Sequence, residues 1–145
     1  MKRILVVEDD GAIRRSLERT LTNSGFLVAE AANGREAIAA YDPGKIDAVV
    51  LDIIMPDVEG LETLRALRHI SPNVKVIAIS GGGQICAEDY LTLARKLGAQ
   101  AALEKPFSAA TLLSALNELL GLPSPEPAPP ARRPGASQSP PDAGP

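Results

Sequence analysis

The stretch Ala48-Val49-Val50-Leu51-Asp52-Ile53-Ile54-Met55-Pro56 decides the fold. An unbroken apolar run that ends in a carboxylate is the pattern of a strand buried on both faces, with an acid at its C-terminal end. Pro56 has no N–H to give a sheet ladder, so the strand has ended by then. Asp52 therefore belongs at the rim of a parallel sheet, where open α/β folds place their chemistry.

Upstream lies a second run of the same kind, Ile4-Leu5-Val6-Val7, followed by Glu8-Asp9-Asp10. Asp10 reads as a helix-start acid. The helix after it carries Ile13, Leu17 and Leu21 on one stripe, with Arg14, Arg15, Glu18 and Arg19 facing water. Gly25 stops it. Phe26 to Glu30 reads as a short strand. Asn33-Gly34-Arg35-Glu36 has the form of an N-cap with an acid three residues on, and opens a helix through Tyr41. Asp42-Pro43-Gly44 is a turn, and the central strand occupies 46–51.

Downstream, the spacing of Leu61, Leu64 and Leu67 predicts a helix over 59–70, broken by Ser71-Pro72-Asn73. Val74 to Ile79 reads as another buried strand, and it runs into Ser80-Gly81-Gly82-Gly83. A helix to Leu97 ends at Gly98. Gln100 to Leu103 reads as a weak last strand before Glu104-Lys105-Pro106-Phe107. Ser108 caps a final helix bearing Leu112, Leu113, Leu116, Leu119 and Leu120.

Strand and helix thus alternate five times over short connections, which predicts an α/β fold with a five-stranded parallel doubly wound sheet. Right-handed crossovers and the common flavodoxin-like order 2-1-3-4-5 make strands one and three neighbours. That order brings Glu8 and Asp9 beside Asp52, with Ser80 and Lys105 at the ends of the next two strands. Three acids, a hydroxyl and an amine converge on one edge.

Composition bounds the rest. Of 145 residues, 1–121 are expected to form one domain. Residues 122–145, mostly Pro, Ala, Ser and Gly, are expected to be a disordered tail that cannot bury enough apolar surface to offset its ordering entropy. Its PxxP spacing is what that composition generates unaided. No apolar run reaches the ~20 residues needed to span a bilayer. The lone Cys86, read as a small helix residue, excludes an internal disulfide framework and fits a reducing cytoplasm. Net charge is −3, without a basic block outside the tail pair Arg132-Arg133, so no nucleic-acid surface is expected. His69 closes a helix and complements its dipole, and Asp57 reads as a loop acid.

Val7-Glu8-Asp9, Leu51-Asp52…Met55-Pro56-Asp57…Gly60, Ile79-Ser80-Gly81 and Lys105-Pro106-Phe107 together resemble the receiver domain of bacterial two-component response regulators, of the single-domain type. The match runs from about Lys2 to Leu120. The resemblance implies that Asp52 is the phosphoacceptor of a two-component or phosphorelay system. It implies Mg²⁺ held by Asp9, Asp52 and the Ile54 backbone carbonyl, with Glu8 acting through water. Carboxylates ~4 Å apart repel by on the order of 4 kcal/mol per pair at an effective dielectric near 20, and a cation relieves this. Lys105, on a Lys-Pro bond that is cis in this family, would stabilise the phosphoryl charge.

Ser80 would be the switch, pulling the Gly81-Gly82-Gly83 loop toward a phosphoryl oxygen. Moving a two-state equilibrium from 1:99 to 99:1 needs ~5.5 kcal/mol. Two or three charge-assisted hydrogen bonds at roughly 1.5–3 kcal/mol each supply it. The readout surface would combine the Ile85–Leu97 helix, the last strand and the final helix. One departure stands out: the aromatic residue that many receivers carry three positions before the lysine is Ala102 here.

The resemblance implies a signalling protein rather than an enzyme, assisting only its own phosphorylation and dephosphorylation. Its partners would be a sensor histidine kinase or a histidine phosphotransfer protein and a downstream protein target. A non-phosphorylated pseudo-receiver acting as an interaction module is the alternative, opposed by the intact set Glu8, Asp9, Asp52, Ser80 and Lys105. Flavodoxin-like FMN binding is rejected because Glu8-Asp9-Asp10 would repel a phosphate. A haloacid-dehalogenase-type phosphatase is rejected because Ile54 stands where a second acid is needed.

Overall fold

The computed structural model describes residues 1–53, 59–80, 92 and 94–123. Its elements are β1 (Arg3–Val7), α1 (Gly11–Asn23), β2 (Leu27–Ala31), α2 (Gly34–Ala40), β3 (Ala48–Asp52), α3 (Glu59–Ile70), β4 (Val76–Ser80), β5 (Ala101–Glu104) and α4 (Ala109–Leu120). The strands form one parallel sheet in the order β2-β1-β3-β4-β5, as the alternation requires.

Burial follows from that order. Every residue of β3 and β4 is buried, because these central strands are covered on both faces. The edge strands β2 and β5 are only partly buried. Alternation within each strand divides the core in two. Leu5, Val7, Val49, Leu51 and Ala78 pack with Ala37 of α2, with Leu61, Leu64 and Leu67 of α3, and with Ala94. Ile4, Val6, Val50, Ile77 and Ile79 face the other way, against Leu17 and Leu21 of α1 and Leu112 and Leu116 of α4.

Helix ends are set by side chains the sequence marks. Asn33 Oδ1 accepts from Glu36 N–H at 2.8 Å, while Glu36 reaches back to Ala32 N–H at 2.7 Å. Ser108 Oγ accepts from Thr111 N–H at 3.0 Å. Asp10 caps α1, its Oδ1 accepting from Ala12 and Ile13 N–H. The hydrogen bond from Ile13 is the main reason its carboxyl lies below the ordinary aspartate value, with Ala12 adding to it. A depressed carboxyl contributes stability that is present above its unfolded value and lost as pH falls through the folded one. Asp10→Ala is therefore expected to lower Tm at pH 7, with the gap to wild type narrowing in melts taken at pH values below the ordinary aspartate pKa of about 3.9.

Strand boundaries differ from the sequence reading by one or two residues. β3 begins at Ala48 because Ile46 N–H is held by Asp42 in the preceding turn. β4 begins at Val76 because Val74 N–H is held by Ser71. Both strands also run one residue further than their apolar runs. Ile53 N–H donates to Ile79 and Lys105 N–H to Ser80, so the ladder continues past the last apolar side chain. Asp52 and Ser80 thus sit inside the sheet as terminal strand residues. Phe26 is buried ahead of β2, its N–H held by Leu21, and Tyr41 caps α2 instead of extending it.

Gly98 turns the chain into β5 with φ +114°. Leu122 packs against the core beyond α4. The Gly81-Gly82-Gly83 loop, Cys86, most of the helix expected to end at Leu97, Ile54, Asp57 and the tail from 124 onward lie outside the described residues.

Candidate functional site

The parallel register delivers the acids to one rim. Val7 stands opposite Leu51, so Glu8 and Asp52, one residue further along, emerge side by side. Asp52 pairs with Ile79, and Ser80 with Glu104, which brings Ser80 and Lys105 to the same edge. Glu8, Asp9 and Asp52 each offer a carboxylate oxygen, all within 4.8 Å of one another. Glu8 and Asp52 are buried, at 1% and 3% exposure, while Asp9 is exposed. The Lys105–Pro106 bond is cis.

Lys105 Nζ donates to Glu8 Oε1 at 2.9 Å and lies 3.6 Å from Asp52 Oδ2. Desolvation pulls this ammonium down, but the Glu8 hydrogen bond and the charge of Asp52 outweigh it and raise its pKa above that of free lysine. The stability it contributes is thus fully present below the unfolded lysine value and is lost only in alkali. The Asp9 carboxyl is raised above its ordinary value, first by desolvation and then by the hydrogen bond and charge of Glu8.

Charge is in excess here. With all three within 4.8 Å and an effective dielectric near 20, each pair, when both members are ionised, repels by at least ~3.5 kcal/mol. Three such acids share one lysine. The donor set is entirely hard oxygen, and an acid whose charge its neighbours disfavour gains most from a cation. The cluster can therefore hold a metal ion.

Local structure holds the rim in place. Glu8 N–H donates to Ala31 at 3.1 Å, and Glu8 Oε2 accepts from Asp10 N–H at 3.2 Å. α3 starts directly over the end of β3, and Gly60 makes this approach possible. A Cβ there would meet the Asp52 backbone oxygen at 2.6 Å. Glu8 engages more than the sequence reading gave it, since both of its oxygens are bonded within the protein.

Arg14, expected to face water, instead turns inward. Its Nη1 donates to the Glu8 carbonyl at 2.7 Å and its Nε to Glu30 Oε1 at 3.2 Å. The partnership joins a helix to the edge strand, and nothing in the linear spacing of 14 and 30 announces it. Ala102, at the position expected to hold an aromatic, lines a cavity of about 570 Å³ with Leu103, Ala115 and Leu119. Among the described residues, no helix is long and apolar enough to cross a membrane.

Comparison with known proteins agrees with fold and site. Residues 4–117 match the family model for the response regulator receiver domain. The chain is 38% identical over 119 residues to the chemotaxis protein CheY of Thermotoga maritima, covering 81% of this chain and 97% of that one. It is 40% identical over 122 residues to the sensor kinase CckA of Brucella abortus, there covering only 12% of the relative. A receiver domain structure from Clostridium thermocellum superposes with a TM-score of 0.78 at 31% identity, over 83% of this chain and 95% of that one.

Fold and site define a signalling phosphoacceptor switch of the two-component type, with a phosphodonor kinase and a downstream target as partners, and not a classical enzyme. The chain belongs to the response regulator receiver family. A pseudo-receiver reading is not favoured, since the acids, the lysine and Ser80 all reach one edge.

Proposed function

We propose that Asp52 takes a phosphoryl group from a phosphohistidine, presented by a sensor histidine kinase or a histidine phosphotransfer protein. A carboxylate oxygen of Asp52 attacks phosphorus while the P–N bond to imidazole breaks. The observation that carries this reading is the buried Asp52 carboxylate set among two other acids, with the Lys105 ammonium 3.6 Å away. Lys105 binds a phosphoryl oxygen, exchanging part of its bond to Glu8 for the new charge. Asp9 and Asp52 would ligate Mg²⁺ directly, Glu8 through water and Ile54 through its backbone carbonyl. Bound there, the ion offsets the charge on the phosphoryl oxygens.

Ser80, at the end of β4 and fully buried, offers its hydroxyl to a further phosphoryl oxygen and so couples the site to the chain that follows it. With Ala102 on β5, that coupling runs through Ser80 and not through an aromatic rotamer. A cavity of about 430 Å³, lined by Ile13, Leu17, Pro106 and Phe107, opens beside Lys105 and offers a donor protein a foothold near Asp52. Attack by water on the acyl phosphate, assisted by the same groups, returns Asp52. The switch acts in the cytoplasm on a protein target, without contact to nucleic acid or membrane.

Acetyl phosphate with Mg²⁺ tests the reading. Wild type is expected to gain the mass of one phosphate, Asp52→Asn none, and wild type with excess chelator none. No adduct on the wild type would leave an interaction module only.

A further inference from the structure

We propose that Arg14 is a positioning residue for the acidic cluster, aimed by Glu30 and acting on the Glu8–Asp9 peptide. This rests on the functional reading above. In a parallel ladder, the carbonyl that follows a bonded N–H is taken by an amide two residues further along the neighbouring strand. Glu8 N–H donates to Ala31, so its carbonyl would look to Asn33. Asn33 has already left the sheet to cap α2. The guanidinium of Arg14 takes the carbonyl instead, at 2.7 Å.

Glu30 fixes the fork by accepting from Nε at 3.2 Å, so one planar side chain links α1, the end of β1 and the edge strand. The peptide it holds is the one that leads into Asp9. A rotation of that peptide would carry the Asp9 carboxylate away from Asp52. Outer groups that orient ligands in this way typically govern 10–100-fold in metal affinity.

The alternative role of Arg14, simple charge, has the opposite sign. Removing a cation beside three carboxylates should tighten Mg²⁺ binding, whereas losing the peptide's support should weaken it. Isothermal titration with Mg²⁺ is expected to show binding about tenfold weaker in Arg14→Ala and a smaller loss in Arg14→Lys, which keeps the charge but not the fork. In metal-free protein, the Asp9 amide nitrogen, which shares a peptide with the Glu8 carbonyl, is expected to shift in the NMR spectrum of either variant, while that of Leu112 stays put.

Equal or tighter binding in Arg14→Ala, or an unmoved Asp9 amide, overturns the proposal while leaving Asp52 as acceptor untouched. Should Arg14→Ala fail to fold, Arg14→Lys decides alone, and unchanged affinity there overturns it. A wild type that binds no Mg²⁺ overturns the metal reading and this proposal with it.

Discussion

Lys105→Met is expected to lower the stability of the metal-free protein by about 3 kcal/mol at pH 7, or roughly 10 °C in Tm. The side chain of Met fills much of the space of the lysine stem, so packing changes little. What is lost is the cation shared by Glu8 and Asp52, whose side chains are only 2% and 4% exposed. Two buried carboxylates are then left facing each other without a counter-charge, and removing one partner of a buried pair typically costs ~3–5 kcal/mol. The lower figure applies because the lysine side chain is itself 21% exposed.

The sign of the pH dependence follows. Against the pull of desolvation, the Lys105 pKa is raised by its bond to Glu8 and the charge of Asp52. The variant's deficit is therefore fully present below the unfolded lysine value and closes only in alkali. Thermal melts at pH 7 and in alkali measure both effects. A Tm within about 2 °C of wild type at pH 7 would mean that the ammonium does not hold the site together.

Gly60→Ala has the second large effect, and its sign opposes the usual rule. In an exposed helix, replacing glycine by alanine gains ~1 kcal/mol. Gly60 is buried, and the new methyl group would run into the backbone of Asp52 and Ile53. The helix cannot back away freely, because Leu61, Leu64 and Leu67 anchor it in the core. Overpacking of this kind typically costs ~1–3 kcal/mol, here against rigid backbone at both sides. We expect a net loss of about 2 kcal/mol by chemical denaturation, with slower phosphorylation because Asp52 moves with the end of β3. A variant as stable and as reactive as wild type would show that α3 does not fix the acceptor's position.

Why part of this was legible in the chain is a matter of periodicity. Val49 to Asp52 and Ile4 to Glu8 carry their burial pattern in consecutive residues, and the sheet order then follows from handedness. Asp10, Asn33, Ser108 and Gly25 mark their own turns, because each acts on backbone within three residues. The strand ends were less legible. Val74 and Ile46 are as apolar as strand residues, yet their amides are committed to turns.

Long-range polar contacts were least legible. Glu8 and Lys105 were placed at one edge by topology, but the 2.9 Å bond between them depends on the length of the glutamate side chain. The inward turn of Arg14 depends on where Glu30 falls on the edge strand, information that helical spacing does not contain. Gln100 likewise bridges β4 through its side chain, donating to the Val74 carbonyl at 2.9 Å and accepting from Val76 N–H at 2.8 Å.

The claim on which the account turns is that the acyl phosphate forms on Asp52 and on no other acid of the cluster. Borohydride reduction of the phosphorylated protein, followed by peptide mapping, tests it directly, since reduction converts an aspartyl phosphate to homoserine. Homoserine is expected at position 52 alone. Homoserine at Asp9, or phosphate retained on Ser80 with Asp52 unmodified, would contradict it.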